Sequence, residues 1–400
     1  MKVLLVDDDR FALKLLTRLL VNYGFGNIVT HEHATDAVAL LEFDNRAFDL
    51  ILCDLQMPGM DGVEFIRQLV RLSYAGALVL VSGEDARILQ TAEKLSRAHR
   101  LNVLGALEKP VSPDQLQQVL KNHHQPAAMW PAARKTYARE ALSQAISGDE
   151  LVNYYQPKVD LGSGMVTGVE TLVRWHHPVD GLVYPDQFIG MAEESGLIAD
   201  LTRIVLSGAL DQARIWQDAG LHLSVAVNVS MDNLISLEFP DFVAQAVHQA
   251  GVPPTSLMLE VTESRLMNDP LMALDILTRL RLKRISLSID DFGTGHSSLA
   301  QLRDIPFDEL KVDRSFVHGV GRDPSLRALF EASLGMARQL GMKTVAEGVE
   351  DREDWDFLRL SRCDTAQGYF IAKPMPAAAL PSWIEGWGVR YRRFVTSGSS

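Results

Sequence analysis

The sequence predicts an α/β protein of two domains: a five-strand parallel sheet covered by helices on both faces, then a (β/α)8 barrel with one reversed strand. Three observations carry this. Apolar strand patterns alternate with helical spacing five times in the first 120 residues, and eight times again from Leu151 onward. The first two strands of the second series are separated only by Leu161-Gly162-Ser163-Gly164, a hairpin-length loop that makes them antiparallel. The later connections are long enough for the crossover helices that parallel pairing requires.

Composition narrows the function classes. A 400-residue chain with 47% hydrophobic residues can build two or three cores, and its net charge of −12 argues against a binder of nucleic-acid polymers. A phosphate-bearing ligand would need metals or locally placed Lys and Arg. Two cysteines, Cys53 and Cys363, make no disulfide framework. No apolar run is long enough to span a membrane, and Met1–Val6 runs straight into acids rather than a cleavage site, so a cytoplasmic protein is expected.

In the first domain the predicted strands start at Val3, Asn27, Asp49, Ala77 and Asn102, and the sheet's ligand site belongs at their carboxyl ends. Those ends carry Asp7, Asp8, Asp54, Ser82 and Lys109. Three carboxylates can hold a Mg²⁺, one of them can accept a phosphoryl group, and a hydroxyl and an ammonium can neutralise the phosphoryl oxygens. Together with Met57-Pro58-Gly59-Met60-Asp61-Gly62 after Asp54, this set resembles the flavodoxin-like receiver domain of two-component response regulators. The resemblance implies that Asp54 is the phosphoacceptor, that Asp7 and Asp8 with Asp54 bind Mg²⁺, and that Ser82 and Lys109 sense the phosphoryl group. It implies a cognate sensor histidine kinase or phosphotransfer protein as partner. Ala106 stands where receivers usually carry an aromatic switch residue, three before the lysine.

The segment KNHHQPAAMWPAAR, Lys121–Arg134, reads as a linker, its His123-His124 pair as exposed rather than metal-ligating. The expected organisation is a receiver-like domain over 1–122, a linker over 123–134, the barrel over 135–388 and a disordered tail over 389–400.

The barrel is organised around Ile285–Leu299, an alternating β-branched run that ends in Asp290-Asp291 and then glycines. Its strands are interrupted by polar residues: Gln156, Glu170, Asn228, Glu260, Asp290, Asp291, Lys311, Glu347 and Gln367. Five acids converging on one barrel mouth repel one another unless cations hold them, and carboxylates with an amide oxygen suit Mg²⁺ or Mn²⁺. Two-residue periodicity puts Lys311 and Asp313 on one face, and Glu260 and Glu263 on opposite faces.

Glu170-Thr171-Leu172-Val173-Arg174-Trp175 matches the signature of EAL domains, the cyclic-di-GMP-specific phosphodiesterases, with Thr171 for the signature's alanine. The match continues through Asn228-Val229-Ser230, Asp290-Asp291-Phe292-Gly293-Thr294-Gly295, Lys311-Val312-Asp313 and Glu347-Gly348-Val349-Glu350, and spans residues 135 to 385. The resemblance implies two Mg²⁺ or Mn²⁺ ions held by Glu170, Asn228, Glu260, Asp290, Asp291 and Glu347. It implies catalytic roles for Lys311, Glu347, Glu170 and Gln367, and substrate contacts from Gln156, Arg174, Leu172, Asp313 and Gln367. Glu263 would anchor the loop after Asp291, where His296 replaces a usual tyrosine. The expected reaction is hydrolysis of cyclic-di-GMP to linear 5′-pGpG under control of receiver phosphorylation, in a homodimer or higher homo-oligomer. The alternative is a degenerate EAL domain that binds cyclic-di-GMP or a protein without hydrolysis; the retained ligands, lysine and loop glutamate favour the enzyme. Thr171 points away from Glu170 and is expected to matter little.

Overall fold

In the computed structural model the described residues are 2–83, 86–99, 101–124, 137–262, 270–293 and 305–397. They form two compact units, 1–133 and 134–400.

The first unit is a parallel sheet of β1 (Lys2–Val6), β2 (Asn27–His31), β3 (Leu50–Asp54), β4 (Ala77–Ser82) and β5 (Asn102–Glu108) in the order β2-β1-β3-β4-β5. β3 and β4 are buried at every residue, which is why they read as unbroken apolar runs ending in Asp54 and Ser82. Helices cover both faces, giving one core around Phe65, Ile66 and Leu80 and another around Leu16, Leu52 and Leu116. Asp9 and Asp61 start two of these helices by accepting the amides of Phe11 and Glu64 at 2.8 Å each. The helix at the end of the unit runs Pro113–His124, so His123 and His124 belong to it rather than to a linker; residues 125–136 lie outside the described ones.

The second unit is a closed barrel. Its eight strands are β6 (Leu151–Asp160), β7 (Val166–His177), β9 (Ser224–Asn228), β10 (Leu257–Thr262), β11 (Ser286–Phe292), β12 (Glu309–Val312), β13 (Lys343–Ala346) and β14 (Thr365–Ala366). β6 is antiparallel to both β7 and β14 and closes the ring; all the other pairs of the ring are parallel. Two short strands, β8 (Gly181–Val183) and β15 (Met375–Pro376), extend β7 and β6. The outward positions of the ring, among them Val169, Val227, Leu259, Ile289 and Leu310, are at most 1% exposed beneath the helices. The hydrophobic contribution therefore comes from the layer outside the ring, roughly 1.5–3 kcal/mol for each such side chain. The inward positions are left for polar residues.

At the C-terminus the structure departs from the expected tail. One helix runs Leu380–Ser397. Trp383 and Trp387 stack on its face at 5.6 Å, Trp387 meets Trp355 edge-on at 5.7 Å, and the Trp387 indole donates to the Gly164 carbonyl at 2.9 Å. The i,i+4 spacing of Trp383, Trp387 and Tyr391 is the signal that the polar ending Thr-Ser-Gly-Ser-Ser obscures.

Candidate active site

In the first unit, Asp7, Asp8 and Asp54 bring carboxylate oxygens within 4.8 Å of one another. Lys109, one residue past β5, spans two of them, with Nζ 2.8 Å from Asp7 Oδ2 and 2.7 Å from Asp54 Oδ2. Burial raises the Asp7 carboxyl, against the hydrogen bond from Lys109. Ser82 is fully buried at the end of β4 beside them. Behind Asp54 the chain turns closely enough that a Cβ on Gly62 would lie 2.6 Å from the Leu55 Cα, so only glycine fits there. Ala106 is part-buried on β5 with no ring to move.

In the barrel, Lys311 on β12 stands at the centre. It is 1% exposed, and its Nζ lies 2.6 Å from Glu347, 2.9 Å from Asp290, 2.9 Å from Glu260 and 3.8 Å from Glu170. Burial opposes its charge, but Asp290, Glu170, Glu260 and Glu347 hold the ammonium well above its ordinary value. Glu260, fully buried, would be pushed up by desolvation, yet Lys158 and Lys311 hold it down to about 2. Burial raises Glu170, Glu347 and Asp291 instead, Asp291 also through its neighbour Asp290.

Consecutive strand residues ordinarily face opposite sides, so Asp290 and Asp291 should diverge. They converge because the β11–β12 register shifts between Ile289 and Phe292, with Asp291 in the left-handed region at φ 56° and its amide donating to Asp290 Oδ1 at 2.9 Å. Asp290, Asp291 and Glu347 thereby offer oxygens within 4.8 Å of one another.

A second row fixes Glu170. Gln367 Nε2 donates to Glu170 Oε2 at 2.5 Å and to Gln156 Oε1 at 3.0 Å, and Asn228 Nδ2 donates to Glu170 Oε1 at 3.0 Å. The Gln367 Oε1 atom is buried without a hydrogen-bond partner. This donor set fits hard divalent ions: every group is an oxygen donor, and the acids outnumber the ammonium groups. The same mouth is a cavity of about 340 Å³ that includes Leu172, Arg314 and Tyr369 with the acids. Gly348, at φ 66°, lets Arg314 pass, since a Cβ there would lie 2.3 Å from the arginine Cγ.

The other expected residues divide. Arg174 is 6% exposed, with its guanidinium over the rings of Tyr184 at 5.1 Å and Tyr154 at 5.6 Å. Asp313 caps the helix Arg314–Val317 by accepting the Ser315 amide at 2.9 Å. Thr171 is turned away from the mouth, lining a largely apolar cavity of about 250 Å³ with Val173, Ile189, Leu201 and Val205. Glu263 and His296 lie outside the described residues. Sequence reasoning missed Arg314, at the start of the short helix after β12, and Tyr369, in the turn after β14, and a deeper inward row of Lys158, Ser288 and Glu309. That row had a signal: each lies two residues from a recognised site residue, Gln156, Asp290 or Lys311.

Fold and site define the class: a receiver domain followed by an EAL barrel. Residues 3–121 match the response regulator receiver domain and residues 139–374 match the EAL domain; the chain belongs to the EAL family. It is 32% identical over 389 residues to the cyclic di-GMP phosphodiesterase RocR of Pseudomonas aeruginosa, covering 96% of this chain and 99% of that one. Over 257 residues it is 43% identical to the cyclic di-GMP phosphodiesterase NbdA of the same organism, covering 64% of this chain but only 33% of NbdA, so it spans about a third of that relative. Among solved structures it is similar to the PaMucR phosphodiesterase in complex with c-di-GMP, with a TM-score of 0.58 and 41% identity over 60% of this chain and 98% of that one. Among the described residues no helix is long and apolar enough to cross a membrane.

Proposed function

We propose that the barrel hydrolyses cyclic-di-GMP to linear 5′-pGpG. The observation that carries this is the convergence of Asp290, Asp291 and Glu347 beside a buried lysine, at the open end of a barrel of the EAL family. Glu170, Asn228, Glu260, Asp290, Asp291 and Glu347 are the residues that would hold two Mg²⁺ or Mn²⁺ ions. When bound, such ions supply Lewis-acid stabilisation of phosphoryl charge and a more acidic water.

This chain's own groups do the rest. The Lys311 ammonium sits where negative charge develops on the phosphoryl group, and burial keeps water from screening it. Glu347, held at 2.6 Å by the Lys311 ammonium, takes the proton of the attacking water as the new P–O bond forms, and the bond to the 3′-oxygen breaks with that oxygen leaving as a hydroxyl protonated from solvent. Gln367 holds Glu170 in one orientation through its 2.5 Å hydrogen bond. Arg314 and Tyr369 line the same cavity and offer a guanidinium for phosphate and a ring for a base. In the receiver, phosphorylation of Asp54 by a sensor kinase or phosphotransfer protein adds charge that Lys109 and Ser82 meet, and biases turnover through a homodimer.

The test is chromatography of cyclic-di-GMP incubated with full-length protein and Mg²⁺, beside Glu170→Ala. Linear dinucleotide from the wild type alone is expected. Intact substrate after prolonged incubation, with binding retained, would instead identify a sensor.

A further inference from the structure

One layer beneath the mouth lies a second buried lysine that none of the chemistry above uses. Lys158, on the reversed strand β6, is 4% exposed; its Nζ lies 2.7 Å from Glu260 Oε1 and 3.1 Å from Glu309 Oε1. Glu309 is held in turn by the Ser288 hydroxyl, which donates to the same oxygen at 3.0 Å. Glu260, with no exposed surface, is therefore gripped from two sides: Lys158 takes Oε1 from below and Lys311 takes Oε2 from above at 2.9 Å. The reversed strand is what makes this geometry available. Lys158 pairs opposite Gly168, a position with no side chain to fill the interior, so the lysine can reach across the barrel to β10 and β12.

We propose that Lys158 is a positioning residue for the metal-holding mouth: by pinning Glu260 Oε1 from beneath, it keeps Oε2 turned toward the mouth. The inference rests on the reading that the mouth binds divalent ions. A desolvated carboxylate oxygen that loses its donor must find another. The nearest remaining cation is Lys311, which already holds Oε2, so without Lys158 the carboxylate turns to bring Oε1 onto that lysine as well and Oε2 rotates off the ion site. A mere counter-charge would act the other way, since deleting a cation near a dication site strengthens dication binding.

The sign of the change in metal affinity thus separates the two roles. Mn²⁺ is titrated by electron paramagnetic resonance into full-length protein carrying Asp8→Ala, which disables the receiver's own acid trio. Lys158→Met is expected to weaken Mn²⁺ binding at the barrel at least tenfold, and to change it less than twofold in a Glu260→Gln background. Unchanged or tighter binding in folded Lys158→Met overturns the inference. Should that variant not fold, Lys158→Arg decides: retained charge on Glu260 predicts affinity within threefold of the parent, and a folded Arg variant more than tenfold weaker overturns it. A parent chain that binds no Mn²⁺ at the barrel refutes the metal reading itself, a result distinct from a parent that binds and a variant that does not respond.

Discussion

Lys311 and Glu347 are joined by a 2.6 Å ion pair inside a barrel that leaves the lysine 1% exposed. The same ammonium serves Asp290 and Glu260, so it is shared by acids from three other strands or strand ends. Lys311→Ala and Glu347→Gln are each expected to lower kcat for cyclic-di-GMP by about 10²–10⁴-fold, the range for a lost proton-transfer or charge-stabilising group. Initial rates at saturating Mg²⁺ check this; a loss below tenfold in both variants would remove the pair from the chemistry.

Ions that bind the folded barrel and not the unfolded chain stabilise it by mass action, by about 2.7 kcal/mol at a free concentration one hundred times Kd. A chelator is therefore expected to abolish turnover and lower the barrel's melting temperature, with Mg²⁺ or Mn²⁺ restoring both. Asp290→Asn removes one of the three converging carboxylates and is expected to flatten the metal-dependent shift. Differential scanning fluorimetry of the full chain reads the shift.

Lys109 bridges Asp7 and Asp54 at 2.8 and 2.7 Å. With acetyl phosphate and Mg²⁺, the wild type is expected to show a phosphate-dependent mobility shift on an affinity gel, and Asp54→Asn none. Lys109→Ala frees the Asp54 carboxylate without supplying a group to meet phosphoryl oxygens, so an acyl phosphate is expected to form there but to support no change in phosphodiesterase rate.

Much of this was legible because polar residues on apolar strands stand out. Glu170, Glu260, Asp290 and Lys311 interrupt buried β-branched runs, and the short Leu161–Gly164 loop identified the reversed strand. What period-two reasoning does not reach is the convergence of Asp290 with Asp291, which needs a register shift and a left-handed residue. Nor does it reach Arg314 and Tyr369, which lie beyond the ends of their strands and meet at the mouth only once the ring closes. The final helix was hidden by its polar end, although its face is set by tryptophans upstream.

That face supplies a stability prediction. Trp387 is 3% exposed, packs on Trp355 and Trp383, and donates to Gly164. Trp387→Ala is expected to destabilise the barrel by about 3–5 kcal/mol, as for large-to-small core changes. Urea denaturation followed by circular dichroism measures it; an effect under 1 kcal/mol would mean that the helix contributes little.

Thr171 gives the opposite sign. Its side chain is 2% exposed and its hydroxyl has no hydrogen-bond partner, facing a largely apolar cavity whose lining also holds Glu193, Thr202, Asn228, Ser230 and Thr262. A buried hydroxyl left unpaired forgoes its hydration, at a cost of about 1–3 kcal/mol. Valine has nearly the same shape and keeps the β-branch that suits a strand. Thr171→Val is therefore expected to raise stability by about 1 kcal/mol and to leave kcat within twofold, because the groups that hold Glu170 are Gln367, just past β14, and Asn228 at the end of β9. A destabilised valine variant would mean that the hydroxyl has a partner in solution, such as a bound water, and that this face of β7 is polar by design.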